Sequence, residues 1–175
     1  ECFVGVDLSA KIDLTSVAFE FPLEDGRFLV LSHSFMPEDT LVARMKTDKQ
    51  DYSLWVKQGW ITLPPGAVVD YEFIKAYIMR QEDENGWVIK EICDDPHNAT
   101  QFAQDMMNEG YEMVEIRQGI KTLGEPTKNF RELVLSKKII HDGNPVLTWA
   151  VSNAVTRQDH NDNIMLNKSK STHRI

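Results

Sequence analysis

Two stretches decide the fold: Cys2-Phe3-Val4-Gly5-Val6-Asp7 and Trp87-Val88-Ile89-Lys90-Glu91-Ile92-Cys93-Asp94-Asp95. Each is a short apolar run that reads as a strand, and each closes on aspartate. Pro96 bars any extension of the second run. If the two strands lie side by side, Asp7 and Asp95 become a pair of hard oxygen donors, the chemistry that holds divalent cations. Asp also ends strands as a plain turn former, so the pair gains meaning only from what surrounds it.

At 175 residues the chain has the size of one domain with a proper core. Hydrophobic residues at 42% and charged residues at 26% fit a globular, water-soluble chain. No apolar run approaches the roughly 20 residues of a membrane span. Cys2 and Cys93 sit inside apolar strand patterns without Cys or His at metal spacing, which reads as reduced, buried thiols of a cytosolic protein. Position 1 is Glu, with no signal-like segment after it, so a piece of a longer protein is expected.

The net charge of −8 is unevenly spread. Residues 1–115 carry 9 Lys+Arg against 22 Asp+Glu, and residues 116–175 carry 10 against 5. A segregated basic segment engages phosphates even on an acidic chain, and Lys121, Lys128, Lys168 and Lys170 are its candidates. The plain alternative is a solvated helix face followed by a polar tail. Lys11, in the turn after Asp7, is equally a phosphate contact or a solvated side chain.

Between the two decisive strands, residues 14–21 alternate as a strand, Glu24-Asp25-Gly26 is a hairpin turn, and residues 27–35 return. A helical region runs from Pro37 towards Gly59, and a short strand over 60–63 stops at Pro64-Pro65-Gly66. Asp70 caps a helix to about Glu84 with Phe73, Ile74, Tyr77 and Ile78 as its apolar stripe. After Asp95, Asn98 is placed to cap a helix to Met107, and a strand follows over 113–117. Pro126-Thr127 opens the next helix, a further helical segment around 146–153 leads to a strand-like stretch, and Asp162-Asn163 is a hairpin turn. The order β-β-β-α-β-α-β-α predicts a mixed sheet, parallel in its middle with an antiparallel hairpin on one edge, flanked by helices.

That layout is similar to the ribonuclease H-like nucleases. The local sequence resembles the nuclease domain in the large terminase subunit of tailed bacteriophages. The resemblance is carried by Gly5-Val6-Asp7-Leu8-Ser9 with Asp13-Leu14-Thr15, by Trp55, Gly59, Ile61, Pro65-Gly66 and Val69-Asp70-Tyr71, and by Asp95-Pro96 with Ala99. Gln118-Gly119, Leu123, Lys128, Asn144-Pro145-Val146-Leu147, Trp149, Asn153, Lys168 and His173-Arg174-Ile175 continue it in order over nearly the whole chain.

The resemblance implies a single nuclease domain over 1–175, without the ATPase motor, since no G-x-x-x-x-G-K-[ST] run is present. It places the family's first two metal-binding aspartates on Asp7 and Asp95 and its site histidine on His173. Asp94 falls where the family often has an aromatic residue. Neighbouring strand residues face opposite ways, so Asp94 and Asp95 do not aim into one site, and Asp94 is expected as an auxiliary residue. His97 is a candidate for the surroundings of the metals. The family's third aspartate follows its histidine by three residues, one position past Ile175.

The implied chemistry is two-ion hydrolysis of DNA phosphodiesters with Mg²⁺ or Mn²⁺ in the host cell cytoplasm. The implied partners are double-stranded DNA, the protein's own ATPase domain, the portal ring and the small terminase subunit. Two other classes compete. One is an actin-like or sugar-kinase nucleotide-binding lobe, since Gly5-x-Asp7-x-Ser9 after a strand is similar to its first phosphate loop. The other is a non-catalytic docking module on the same fold. A Holliday-junction resolvase would require a dimer and branched DNA.

Overall fold

The computed structural model of the chain describes residues 1–9, 14–97 and 99–167. β1 (Cys2–Asp7), β2 (Thr15–Pro22) and β3 (Phe28–Phe35) form an antiparallel meander at the centre of a seven-stranded sheet. The other four strands join in parallel. β5 (Ile89–Asp94) lies on β1 and β6 (Met113–Glu115) on β5, while β4 (Ile61–Thr62) and β7 (Ile139–His141) share the outer side of β3. The sheet order is β4-β3-β2-β1-β5-β6, with β7 beside the first half of β3. The β2–β3 hairpin is therefore inside the sheet and not on its edge as expected, because the two short parallel strands pair along the outer side of β3.

The helices are α1 (Leu41–Asp48), α2 (Tyr52–Lys57), α3 (Tyr71–Asn85), α4 (Thr100–Asn108), α5 (Ile120–Leu135) and α6 (Pro145–Asn153). A hairpin of β8 (Thr156–Gln158) and β9 (Ile164–Leu166) forms a separate small sheet that packs against α5. The order read from the sequence leaves out one βα unit and does not include β7, while β8 and β9 flank the expected turn at Asp162-Asn163.

Local chemistry explains where most elements begin and end. Gly26 takes a φ of 77° in the β2–β3 turn, where Leu23 N–H donates to the Arg27 carbonyl at 2.9 Å. Asp70 caps α3 by accepting from Glu72 N–H at 3.0 Å. The predicted helix over residues 37–59 is broken in two. Lys49 adopts a left-handed φ of 52°, and Asp51 caps α2 afresh by accepting from Ser53 N–H. Across the break a buried cluster holds the two helices together. Arg44 Nε and the Tyr52 hydroxyl both donate to Asp48 Oδ2, at 2.8 and 2.7 Å.

The predicted start of α5 at Pro126 also needs correction. The helix begins at Gly119 and Pro126 lies inside it, forgoing one backbone hydrogen bond. The buried point of the helix is Gly124, just before the proline, where α5 meets Asn163 of the β8–β9 hairpin. The expected Asn98 cap lies outside the described residues.

Two cores cover the two faces of the sheet. On the first, Val4, Val6, Val17, Phe19 and Ile92 pack against Ile74 and Ile78 of α3 and Phe102 and Met106 of α4. Each fully buried apolar side chain of this kind contributes about 1.5–3 kcal/mol. Phe73, expected in the α3 stripe, is instead 42% exposed. On the second face, Tyr52, Trp55, Val146 and Trp149 gather with Leu14, Met36 and Ile61 near β3 and β4. Strand alternation sends Val4 and Val6 to the first face and Gly5 and Asp7 to the second. Gly5 and Asp7 are both exposed.

Candidate functional site

The register of β1 and β5 builds the site. Gly5 pairs with Cys93 and Val6 with Asp94 in a parallel ladder. Neighbouring strands lie about 4.8 Å apart, and residues on one rung send their side chains to the same face. Val6 and Asp94 therefore share the helix-packed first face. Asp7 is the last residue of β1 and Asp95 directly follows the last residue of β5, so both stand at the carboxyl ends of adjacent parallel strands, the position where open α/β sheets bind ligands. Asp7 is exposed and Asp95 half-buried. Past Asp95 the chain turns, and Asp95 Oδ1 accepts from His97 N–H at 3.2 Å.

On its other side Asp7 is paired with Ser16, and Ser16 in turn with Ser34. The two serine hydroxyl oxygens are 3.3 Å apart and Ser34 is buried. A polar row thus crosses the second face from Asp7 through Ser16 to Ser34. Fully buried Thr15 secures the start of β2 by accepting from Ser9 N–H through its hydroxyl, at 3.1 Å. Ser16 and Ser34 do not stand out in the sequence. Only the strand register shows that they flank Asp7.

Asp94 occupies a different setting. It is 3% exposed, and neither of its carboxylate oxygens has a hydrogen-bond partner among the described residues. Burial pushes its carboxyl pKa up, with repulsion from its rung neighbour Glu115 and from Asp95 adding to the effect.

The other candidates divide. His97 is exposed and its backbone holds the Asp95 turn. Lys121 is exposed in the first turn of α5, which follows the carboxyl end of β6 and so starts at the same end of the sheet as the carboxylates. Lys128 Nζ is engaged with Asn163 Oδ1 at 3.4 Å, tying α5 to the β8–β9 hairpin. Lys11, Lys168, Lys170 and His173 lie outside the described residues. Asp162 is a turn residue with a φ of 59° whose Oδ1 accepts from Gln158 Nε2. Cys2 is buried and Cys93 half-buried, and burial raises both thiol pKa values, so neither is a reactive thiolate.

Carboxylate oxygens suit Mg²⁺ or Mn²⁺ in hardness. Among the described residues no group of three or more His, Cys, Asp or Glu side chains is gathered around one point, so the pair supplies the right donor type but only part of a coordination shell. No helix among the described residues is long and apolar enough to cross a membrane.

A mixed sheet with this strand order, helices on both faces and an acidic pair at the ends of adjacent parallel strands is a ribonuclease H-like nuclease fold. It superimposes on the crystal structure of the HK97 bacteriophage large terminase with a TM-score of 0.91 and 34% identity, over 100% of this chain and 36% of that one. The family of the terminase large subunit, endonuclease domain, matches residues 1–175, and the chain belongs to it.

The large terminase subunit of Enterobacteria phage HK97 is 35% identical over 175 residues, covering 99% of this chain and 34% of that protein. Protein YmfN of Escherichia coli (strain K12) is 29% identical over 164 residues, covering 88% of this chain and 35% of that protein. The chain thus spans about a third of the length of these relatives. Membership of the family favours the nuclease over the nucleotide-binding lobe.

Proposed function

We propose that this chain is a metal-dependent endonuclease domain that cuts concatemeric viral DNA during genome packaging, with Asp7 and Asp95 as its metal-binding carboxylates. The observation that supports the reading is the parallel pairing of β1 and β5, which runs up to Val6 and Asp94 and leaves the strand ends that carry Asp7 and Asp95 at the same end of the sheet. Bound divalent ions would supply a nucleophilic water at neutral pH and stabilise the departing 3′-oxygen. The chain's own part is to hold the carboxylates apart from the core on a rigid parallel pair. The Asx turn at Asp95 and the Thr15–Ser9 bond fix the backbone on either side.

Lys121 supports a backbone contact to DNA, giving little sequence preference and a steep loss of affinity with salt. By family likeness the partners are double-stranded DNA, an ATPase domain, the portal ring and the small terminase subunit, in the host cytoplasm. The decisive experiment is nicking of supercoiled plasmid with Mn²⁺, paired with Mn²⁺ binding. Asp7→Ala and Asp95→Ala are expected to abolish both. Undiminished cleavage by Asp95→Ala would refute the assignment.

A further inference from the structure

We propose that Ser16 is a positioning residue for Asp7, with Ser34 as the donor behind it; this rests on the nuclease reading above. Directly opposed residues of an antiparallel pair have Cβ atoms about 4.5–5.5 Å apart, so the Ser16 side chain stands against Asp7 on the face away from the helix-packed core. Each serine hydroxyl has one proton to give and lone pairs to receive. Ser34 is 4% exposed and its hydroxyl is bonded to Ser16 at 3.3 Å. With Ser34 donating to Ser16, the Ser16 proton is directed to the Asp7 carboxylate. Such a bond would fix the orientation of the Asp7 carboxylate relative to the strand end. A hydroxyl chain of this sort polarises along its length and orients the terminal ligand, as outer partners do in metal sites generally.

The test is Mn²⁺ binding followed by the loss of the free-ion electron paramagnetic resonance signal, together with plasmid nicking. It is run on the parent chain, Ser16→Ala, Ser16→Thr, Ser34→Ala and Asp95→Ala. Ser16→Ala is expected to weaken Mn²⁺ binding about 10-fold, within the range for removal of an outer partner. Ser16→Thr keeps the hydroxyl on a strand-compatible side chain and is expected to restore binding, while Ser34→Ala falls between.

If Ser16→Ala binds as the parent does while Asp95→Ala does not, the serine proposal is wrong and the carboxylate site stands. If Ser16→Thr fails to restore what Ser16→Ala loses, the hydroxyl is not the cause and the proposal is again overturned. If Asp95→Ala also binds normally, or the parent binds no Mn²⁺, both readings fall.

Discussion

Asn144→Ala removes a side chain that the fold uses three ways. Asn144 is 0% exposed at the start of α6. Its Oδ1 accepts from Val146 N–H at 2.8 Å and Leu147 N–H at 3.3 Å, capping the helix. Its Nδ2 donates to the Ser32 carbonyl at 2.7 Å and to the Ser32 hydroxyl at 3.1 Å, fastening α6 to β3. Loss of the cap costs about 1 kcal/mol. Leaving the Ser32 acceptors without their donor adds about 1–3 kcal/mol. The expected loss is about 2–4 kcal/mol in urea unfolding at pH 7 with an unchanged m-value. Asn144→Asp separates the two contributions, because it keeps the cap acceptor and sets a carboxylate against the Ser32 carbonyl. It is expected to lose at least as much as the alanine variant. A loss below about 0.5 kcal/mol for Asn144→Ala, the scale of an ordinary surface change, would refute the reasoning.

Further outcomes follow from other contacts. Burial and the nearby Arg80 lower the His33 pKa from 6.5 to about 4, while its Nε2 shares a hydrogen bond with Thr62 at 2.8 Å. The native state thus resists protonation that the unfolded chain accepts. Stability should be complete above pH 6.5 and fall as pH drops towards 4, by about 1–2 kcal/mol after allowance for the ring's partial exposure. His33→Phe should flatten that slope in urea titrations at pH 7 and 4.5, and an unchanged slope would contradict it. For Asp94 the raised carboxyl pKa means that the charged form burdens the native state at neutral pH, an effect relieved on acidification. Asp94→Asn should therefore melt higher than the parent at pH 8, with the difference shrinking as pH falls. A Cβ on Gly124 would stand 3.3 Å from Asn163 Cβ, so Gly124→Leu should lever the β8–β9 hairpin off α5. Trypsin cleavage at Arg157 should then quicken, and equal rates would show that the contact does not hold the hairpin.

Much of this arrangement is legible in the residues. The β1 and β5 patterns, the Gly26 turn, the Asp70 cap and the Asp162 turn rest on local rules that tertiary packing did not override. The carboxylate pair is legible as two strand ends, although their adjacency is a statement about register that no local pattern carries. Ser16 is invisible for the same reason. Its neighbour across the ladder is Asp7, and one residue of slip would have turned it to the opposite face. The misread elements were matters of competition. At Lys49 a left-handed residue interrupts an otherwise continuous helical pattern, because the Arg44–Asp48–Tyr52 cluster needs the two helices to fold against each other. At Pro126 the break signal is overridden although Phe130, Val134 and Leu135 beyond it stay largely exposed, and the structure offers no packing reason. Phe73 fits the helical period yet is left facing out, since Ile74 and Ile78 already fill the space above β1.

The β1–β5 pairing also dictates when the acidic pair comes into being. β2 follows β1 immediately and zips to it as a neighbour in the chain, whereas β5 arrives only after three further strands and three helices have been made. Until a ribosome has released Asp95, a nascent chain holds Asp7 alone, with nothing beside it to share an ion. If the pair holds cations as proposed, that ability arises only when the chain has closed the long way round the sheet.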